Sequence, residues 1–98
     1  MTGGIKVLRG TDIFISTFNL HRSPELWENA LTFDPTRWER EFKNANIDEW
    51  VGYDPDKIQG LYPSEQASDF AFLPFGGGAR KCVGDQFAMM EATVTMVS

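Results

Sequence analysis

The residues of this chain best equipped for chemistry lie in one run, Phe72 to Gly84, FLPFGGGARKCVG. It holds the single cysteine, Cys82, with Arg80 and Lys81 before it and Gly76, Gly77 and Gly78 in succession ahead of them. Three glycines in a row make a poor helix or strand interior, because each loses much backbone entropy on ordering. They suit a segment with unusual dihedrals, or one that lies against something flat or bulky. From Asp85 onward the pattern turns helical, so Cys82 falls where a loop becomes a helix N terminus. Unpaired N–H groups and the positive end of the helix dipole favour an anion there, and the adjacent cations add to the effect, so the sulfur is expected as a thiolate. Such a thiolate can serve as nucleophile, redox thiol or metal ligand.

Spacing narrows these alternatives without closing them. A Walker-type phosphate loop needs Gly-Lys-Ser/Thr, whereas Lys81 stands between Arg80 and Cys82. The dinucleotide fingerprint G-x-G-x-x-G breaks at Lys81, and no parallel-strand unit precedes it. A thioredoxin-like motif needs a second cysteine. A cysteine nucleophile needs a histidine; the only one, His21, is distant in sequence, which does not exclude it. As a lone histidine beside Arg22, His21 reads rather as a loop hydrogen-bonder.

The pattern Phe75-Gly76-x-Gly78-x-Arg80-x-Cys82-x-Gly84 resembles the haem-binding loop of the cytochromes P450 at each defining position. That resemblance implies a haem cofactor (iron protoporphyrin IX) with Cys82 as the axial ligand to its iron. It further implies that Arg80 pairs with a haem propionate, Phe75 shields the sulfur, and Gly76, Gly78 and Gly84 bring backbone close to the porphyrin. Backbone N–H groups after Cys82 would tune the sulfur. The stretch Phe33-Asp34-Pro35-Thr36-Arg37-Trp38 is similar to the family's Phe-x-Pro-x-Arg-aromatic segment, and Arg37 would then lock a Glu-Arg pair from an upstream helix. The activity implied is a haem-thiolate monooxygenase acting with O2, a hydrophobic small-molecule substrate and an electron-donor protein of ferredoxin or reductase type. Lys81 is a candidate for docking that donor. NLHRSPELWENALTFDPTRW together with DFAFLPFGGGARKCVGDQFAMME is most similar to the plastid carotenoid-ring hydroxylases of plants and algae. That implies a carotene ring as substrate and a plastid membrane surface, or otherwise the endoplasmic reticulum membrane.

The elements that must position this loop follow in chain order. Ile5–Leu8 and Ile13–Phe18 read as two strands of a hairpin, to be completed by a larger sheet, since two strands alone are marginal. Ser23-Pro24 opens a short helix over 24–29, and Asp34-Pro35 a second running toward Phe42. Residues 43–69 carry no lasting period and read as an irregular, surface-wound segment pinned by Trp50, Tyr53, Leu61 and Tyr62. Beyond Cys82, Phe87, Met90, Val94 and Val97 share one helix face, and with Met89 and Met96 beside it that stripe reads as core. Glu91 on this helix reads as a surface or capping residue. The expected fold class is α+β, mainly α, a C-terminal slice of the P450 fold: a hairpin (1–18), short helices (19–42), a meander with an insertion (43–69), the haem-ligand loop (70–84) and the start of the proximal helix (85–98).

Composition sets outer bounds. The length allows one modest domain, and a hydrophobic share of 42% is ordinary for a globular chain. A net charge of -5 argues against nucleic acid as a partner. One cysteine excludes an internal disulfide. The opening Met1–Gly4 has no signal-peptide character. The resemblance lacks the upstream Glu-x-x-Arg helix motif and the distal oxygen-activating helix. The chain alone is therefore expected to be inactive and poorly folded, and a non-catalytic remnant or a thiol sensor at Cys82 stay open as alternatives.

Overall fold

Aromatic side chains between Trp27 and Phe72 organise the computed structural model, which describes residues 4–97. Trp27, Tyr53, Ala67 and Ala71 are buried, and Leu26, Ala30, Trp38, Phe42, Trp50, Ile58 and Phe72 close around them. Most of the rings meet edge-on or tilted, a geometry their quadrupoles favour: Trp27 and Trp38 at 5.5 Å, Trp38 and Tyr53 at 5.3 Å, Trp38 and Phe72 at 4.7 Å, while Trp27 and Phe42 stack at 6.3 Å.

Short capped turns bring these rings together. Asp34 accepts from the N–H of Thr36 at 3.1 Å, and Pro35 sits at the first position of a 3-10 helix, Pro35–Glu39. Asp54 and Pro55 repeat the device over Pro55–Lys57. Phe42 and Tyr53 exchange both backbone hydrogen bonds, at 3.0 and 2.7 Å, as an isolated antiparallel bridge. That approach needs Gly52: it has φ +93°, and a Cβ there would lie 2.4 Å from the Phe42 carbonyl oxygen. The buried Tyr53 hydroxyl donates to the carbonyl of Trp38, and burial raises its pKa above the usual tyrosine value.

The segment 43–69 is irregular and mostly exposed or half-buried, and Tyr53 and Tyr62 pin it, while Leu61 stays exposed. The segment supplies Tyr53, Tyr62, Glu65, Ala67 and Ser68 to the buried set. Ser68 is fully buried, and its Oγ takes the N–H of Phe72 at 2.9 Å. Trp50 Nε1 donates to the Ser68 carbonyl, and the Asp69 carboxylate accepts from the N–H of Val51. Asp69 and Phe70 take positive φ, 49° and 68°. That is a costly conformation for a phenylalanine, held by the hydrogen bond from its N–H to the Glu65 carbonyl at 2.7 Å.

Three expected elements are corrected. No named strand forms among the described residues, so the hairpin is absent. Instead Ser16 caps a single helical turn, α1 (Thr17–Leu20), and accepts from the N–H of Asn19. Ile5, Ile13, Phe14 and Ile15 stay exposed, since no other strand lies among the described residues to pair with them. The helix expected over 24–29 is one turn, closed by the N–H of Trp27 on the Ser23 carbonyl at 2.9 Å and broken where Asn29 turns left-handed at φ 49°. The helix after Cys82 does form, as α2 (Asp85–Val97), but none of its residues is buried. Phe87, Met90, Val94 and Val97 are all exposed, so this stripe is not core among the described residues. The outer ends of the expected hairpin and proximal-helix segments, residues 1–3 and Ser98, lie outside the described residues. The radius of gyration, 15.5 Å, exceeds the roughly 13 Å of a compact domain of this length.

Candidate functional site

The loop from Phe75 to Gly84 is closed on itself by a hydrogen bond from the N–H of Cys82 to the carbonyl of Phe75, 3.0 Å. Gly76 and Gly78 stand at φ +80° and +73°, a region an L side chain enters only with strain. Gly78 opens a single 3-10 turn, Gly78–Arg80. Five residues after Arg80 the chain enters α2, where the N–H of Ala88 donates to the Gly84 carbonyl at 2.9 Å. The Cys82 thiol is thereby presented at the mouth of α2, free and exposed. Its Sγ accepts from the N–H of Gly84 at 3.4 Å. A Cβ on Gly84 would lie 3.9 Å from that sulfur.

All of Phe75, Gly76, Gly78, Arg80, Cys82 and Gly84 therefore fall in one closed loop. Arg80 is exposed and forms no ion pair among the described residues. Val83 is fully exposed beside the thiol, and the uncovered side chains of Phe87, Met90 and Val94 follow along α2. Phe75 is half-buried, with its ring edge-on to Tyr62 at 5.1 Å.

Arg37 does not belong to this constellation. Its guanidinium donates to the carbonyls of Glu28 (2.6 Å), Asn29 (3.0 Å) and Thr32 (2.7 Å), closing the turn behind Trp27. It borders a cleft of ≈ 280 Å³ with Trp27, Phe33, Pro35, Trp38 and Phe72. The indole N–H of Trp27 is buried without a hydrogen-bond partner.

His21 accepts from the N–H of Leu73 through Nε2 at 2.8 Å, with its ring 4.8 Å from that of Phe72. An accepting Nε2 requires the neutral imidazole, and burial, helped by nearby Arg22, holds its pKa below the usual value. His21 thus anchors the entry to the loop and is no partner for a cysteine nucleophile.

Lys81 departs from the expectation of a docking cation. Its ammonium pairs with Glu65 at 3.2 Å and Asp85 at 3.4 Å, and the Tyr62 hydroxyl donates to Asp85 at 2.7 Å. The Tyr62 hydroxyl first, then the two carboxylates, hold the lysine well above its usual range against the cost of burial. Asp85 is lowered by the Tyr62 hydrogen bond and by Lys81. Sequence reasoning missed Tyr62 and Glu65. The i,i+4 spacing of Lys81 and Asp85 was the one available signal, and the partner sixteen residues upstream gave none.

The donor set fits a haem iron. It offers one soft sulfur with an N–H on it, a loop face without side chains at Gly76 and Gly78, a free cation and an uncovered apolar helix edge. Among the described residues no group of three His, Cys, Asp or Glu side chains could hold a metal ion.

Comparison with known proteins agrees. A family model described as Cytochrome P450 matches residues 1–98. The chain is 55% identical over 95 residues to Cytochrome P450 97B1, chloroplastic, of Pisum sativum, covering 96% of this chain and 17% of that protein. It is 45% identical over 96 residues to the Carotene epsilon-monooxygenase, chloroplastic, of Arabidopsis thaliana (98% and 14% coverage). It is 42% identical over 94 residues to Protein LUTEIN DEFICIENT 5, chloroplastic, of the same plant (96% and 13%). No solved structure matches. The chain belongs to the cytochrome P450 family and spans 13% to 17% of the length of these relatives.

Proposed function

We propose that residues 1–98 form the thiolate side of a haem monooxygenase that hydroxylates a carotenoid ring at a plastid membrane surface. The observation that carries this reading is the Cys82 thiol, held exposed at the head of α2 by the Phe75 carbonyl and taking the Gly84 N–H. Haem, when bound, supplies the O2 and one-electron chemistry that no side chain can.

The chain's own residues bind and tune it. Cys82 would hold the iron through its sulfur, and the Gly84 N–H, which donates to that sulfur, would withdraw charge from it and so adjust the potential. Arg80 pairs with a propionate. Phe75 keeps water from the sulfur, while Gly76, Gly78 and Gly84 let the backbone lie against the ring. Phe87, Met90 and Val94 give the exposed apolar edge a surface to bury. Arg37 holds the turn behind Trp27 and receives an upstream Glu-Arg pair. By these roles 70–84 is the ligand loop, 43–69 the meander and 85–98 the proximal helix.

In the net reaction one atom of O2 enters a C–H bond and the other leaves as water. Two electrons from a ferredoxin- or reductase-type donor and two protons complete the balance. The substrate and plastid assignments draw on the chloroplastic relatives, two of which are named for carotene or lutein. No helix among the described residues is long and apolar enough to cross a membrane. The exposed apolar face of α2 also supports the view that these 98 residues alone turn nothing over.

The test is to supply the full-length protein with a carotene, O2 and a reduced electron donor. The expected product is the carotene with one added oxygen, abolished by Cys82→Ser. Oxygenation of other hydrophobic substrates but no carotene would remove the substrate assignment. Turnover that survives Cys82→Ser would remove the whole reading.

A further inference from the structure

The ligand loop is tied to the protein by two residues: Tyr62 holds both its ends, and Glu65 holds its middle and its exit. At the entry, the Tyr62 ring meets Phe75 at 5.1 Å. At the exit, its hydroxyl donates to Asp85, the first residue of α2, at 2.7 Å. Glu65 is buried, at 6% exposure, and accepts from Lys81 Nζ at 3.2 Å, one residue before the sulfur. Lys81 reaches on to Asp85 at 3.4 Å and lies 5.3 Å over the Tyr62 ring. The middle of the loop rests on the same support, since a Cβ on Gly77 would lie 3.2 Å from both Glu65 Cγ and Phe70 Cε1. Glu65 is in turn fixed by its own carbonyl, which accepts the N–H of the strained Phe70.

The Lys81–Glu65 pair is part-buried, with the Lys81 side chain 26% and the Glu65 side chain 8% exposed, so desolvation offsets much of the attraction and the pair is a poor source of net stability; the best-attested use of such a pair is to fix one geometry among several. The residue fixed here is the one before the thiol, and the helix start fixed with it, Asp85, directly follows Gly84, whose N–H donates to the sulfur. We propose that Tyr62 and Glu65 are positioning residues for the Cys82 sulfur, acting through Lys81 and Asp85 to hold the loop in its ligating shape before haem arrives. The inference rests on the haem-ligand reading of Cys82. It also assigns Lys81 a structural counter-charge within the fold and removes it as a contact for the electron donor.

The test uses the full-length protein with haem, reduced under carbon monoxide. Glu65→Gln keeps the shape of the side chain and deletes its charge. It is expected to leave far-UV circular dichroism unchanged and to weaken haem affinity about ten-fold. A smaller share of the bound haem should then show the red-shifted carbon monoxide band of thiolate ligation. Tyr62→Phe should act in the same direction and less strongly, and Lys81→Arg, which preserves the pair, should retain the band. A merely structural latch would lower the thermal midpoint in these variants while affinity and band per bound haem stay at wild-type values, and that result overturns the inference. If Glu65→Gln does not fold, Tyr62→Phe, which removes a single oxygen, decides by the same readings. Absence of the band in the wild-type protein would instead overturn the haem-ligand reading itself, and this inference with it.

Discussion

Between Trp27 and Phe72 the chain turns its aromatic rings onto one another and seals Tyr53, Ala67, Ser68 and Ala71 from solvent. Between Leu73 and Val97 nothing is buried, and the thiol, Val83 and the apolar edge of α2 face outward. Both regions are rich in apolar residues, so composition does not separate them. The difference lies in partners. The first region carries pairs of sequence-distant rings whose burial is mutual, while the second presents one helix and a glycine loop whose apolar side chains stay largely exposed. The Tyr62–Glu65–Lys81–Asp85 cluster is where the closed region takes hold of the open one.

Substitutions sharpen that contrast, beginning with the largest effect. Trp27→Ala should cost about 4 kcal/mol of unfolding free energy, because it opens a large cavity at the centre of the ring cluster. Phe87→Ala on α2 should cost less than about 0.5 kcal/mol in the haem-free chain, as for an exposed site. Denaturant titration of the two variants checks the pair, and equal losses would erase the distinction between the regions. Gly52→Ala should cost about 3 kcal/mol, since the new methyl meets the Phe42 carbonyl oxygen in a left-handed backbone. A thermal midpoint unchanged from wild type would refute the Phe42–Tyr53 bridge. Ser68→Ala should cost about 2 kcal/mol by leaving the N–H of Phe72 without its acceptor. Amide hydrogen exchange at Phe72 is the direct reading, and it should speed up in the variant.

The smallest effect expected is a pH dependence at His21. Its folded-state pKa lies below the usual 6.5, so the unfolded chain binds the proton more readily. His21 therefore adds full stability above pH 6.5. That contribution declines as pH falls below 6.5 and levels off once the folded-state pKa is passed. For a partly exposed group the change stays below about 1 kcal/mol. His21→Gln can still accept from Leu73 N–H and should flatten this slope in a series of thermal melts; an unaltered slope would assign it elsewhere.

What the sequence makes legible is local. Asp34-Pro35 announces its capped turn, and Asp85 onward announces α2, because caps and helical periods act over a few residues. The ligand loop is legible for the same reason, since its glycines, cation and thiol occur within ten positions. The misreadings share the opposite cause. Ile13 to Phe18 has the residue types of a strand, but Ser16 offers its side chain as a helix cap and no second strand lies among the described residues to outbid it. The turn at 24–29 ends early because Asn29 tolerates positive φ, which no period reveals. In the region 43–69 Tyr53 and Tyr62 go inside as their side chains suggest, whereas no local signal marks Glu65, Ala67 and Ser68 for burial or Leu61 for exposure. Glu65 could not be assigned to Lys81 from sequence, since the fold alone brings them together.

The central claim is that Cys82 is the protein's ligand to haem iron, presented by a loop that the neighbouring core holds in place. The most direct measurement is a haem titration of the full-length protein and its Cys82→Ser variant, each reduced under carbon monoxide. The account predicts a saturable, red-shifted thiolate-type band in the wild type and its complete loss in the variant. A wild-type protein that binds haem without that band, or a Cys82→Ser protein that keeps it, would contradict the account.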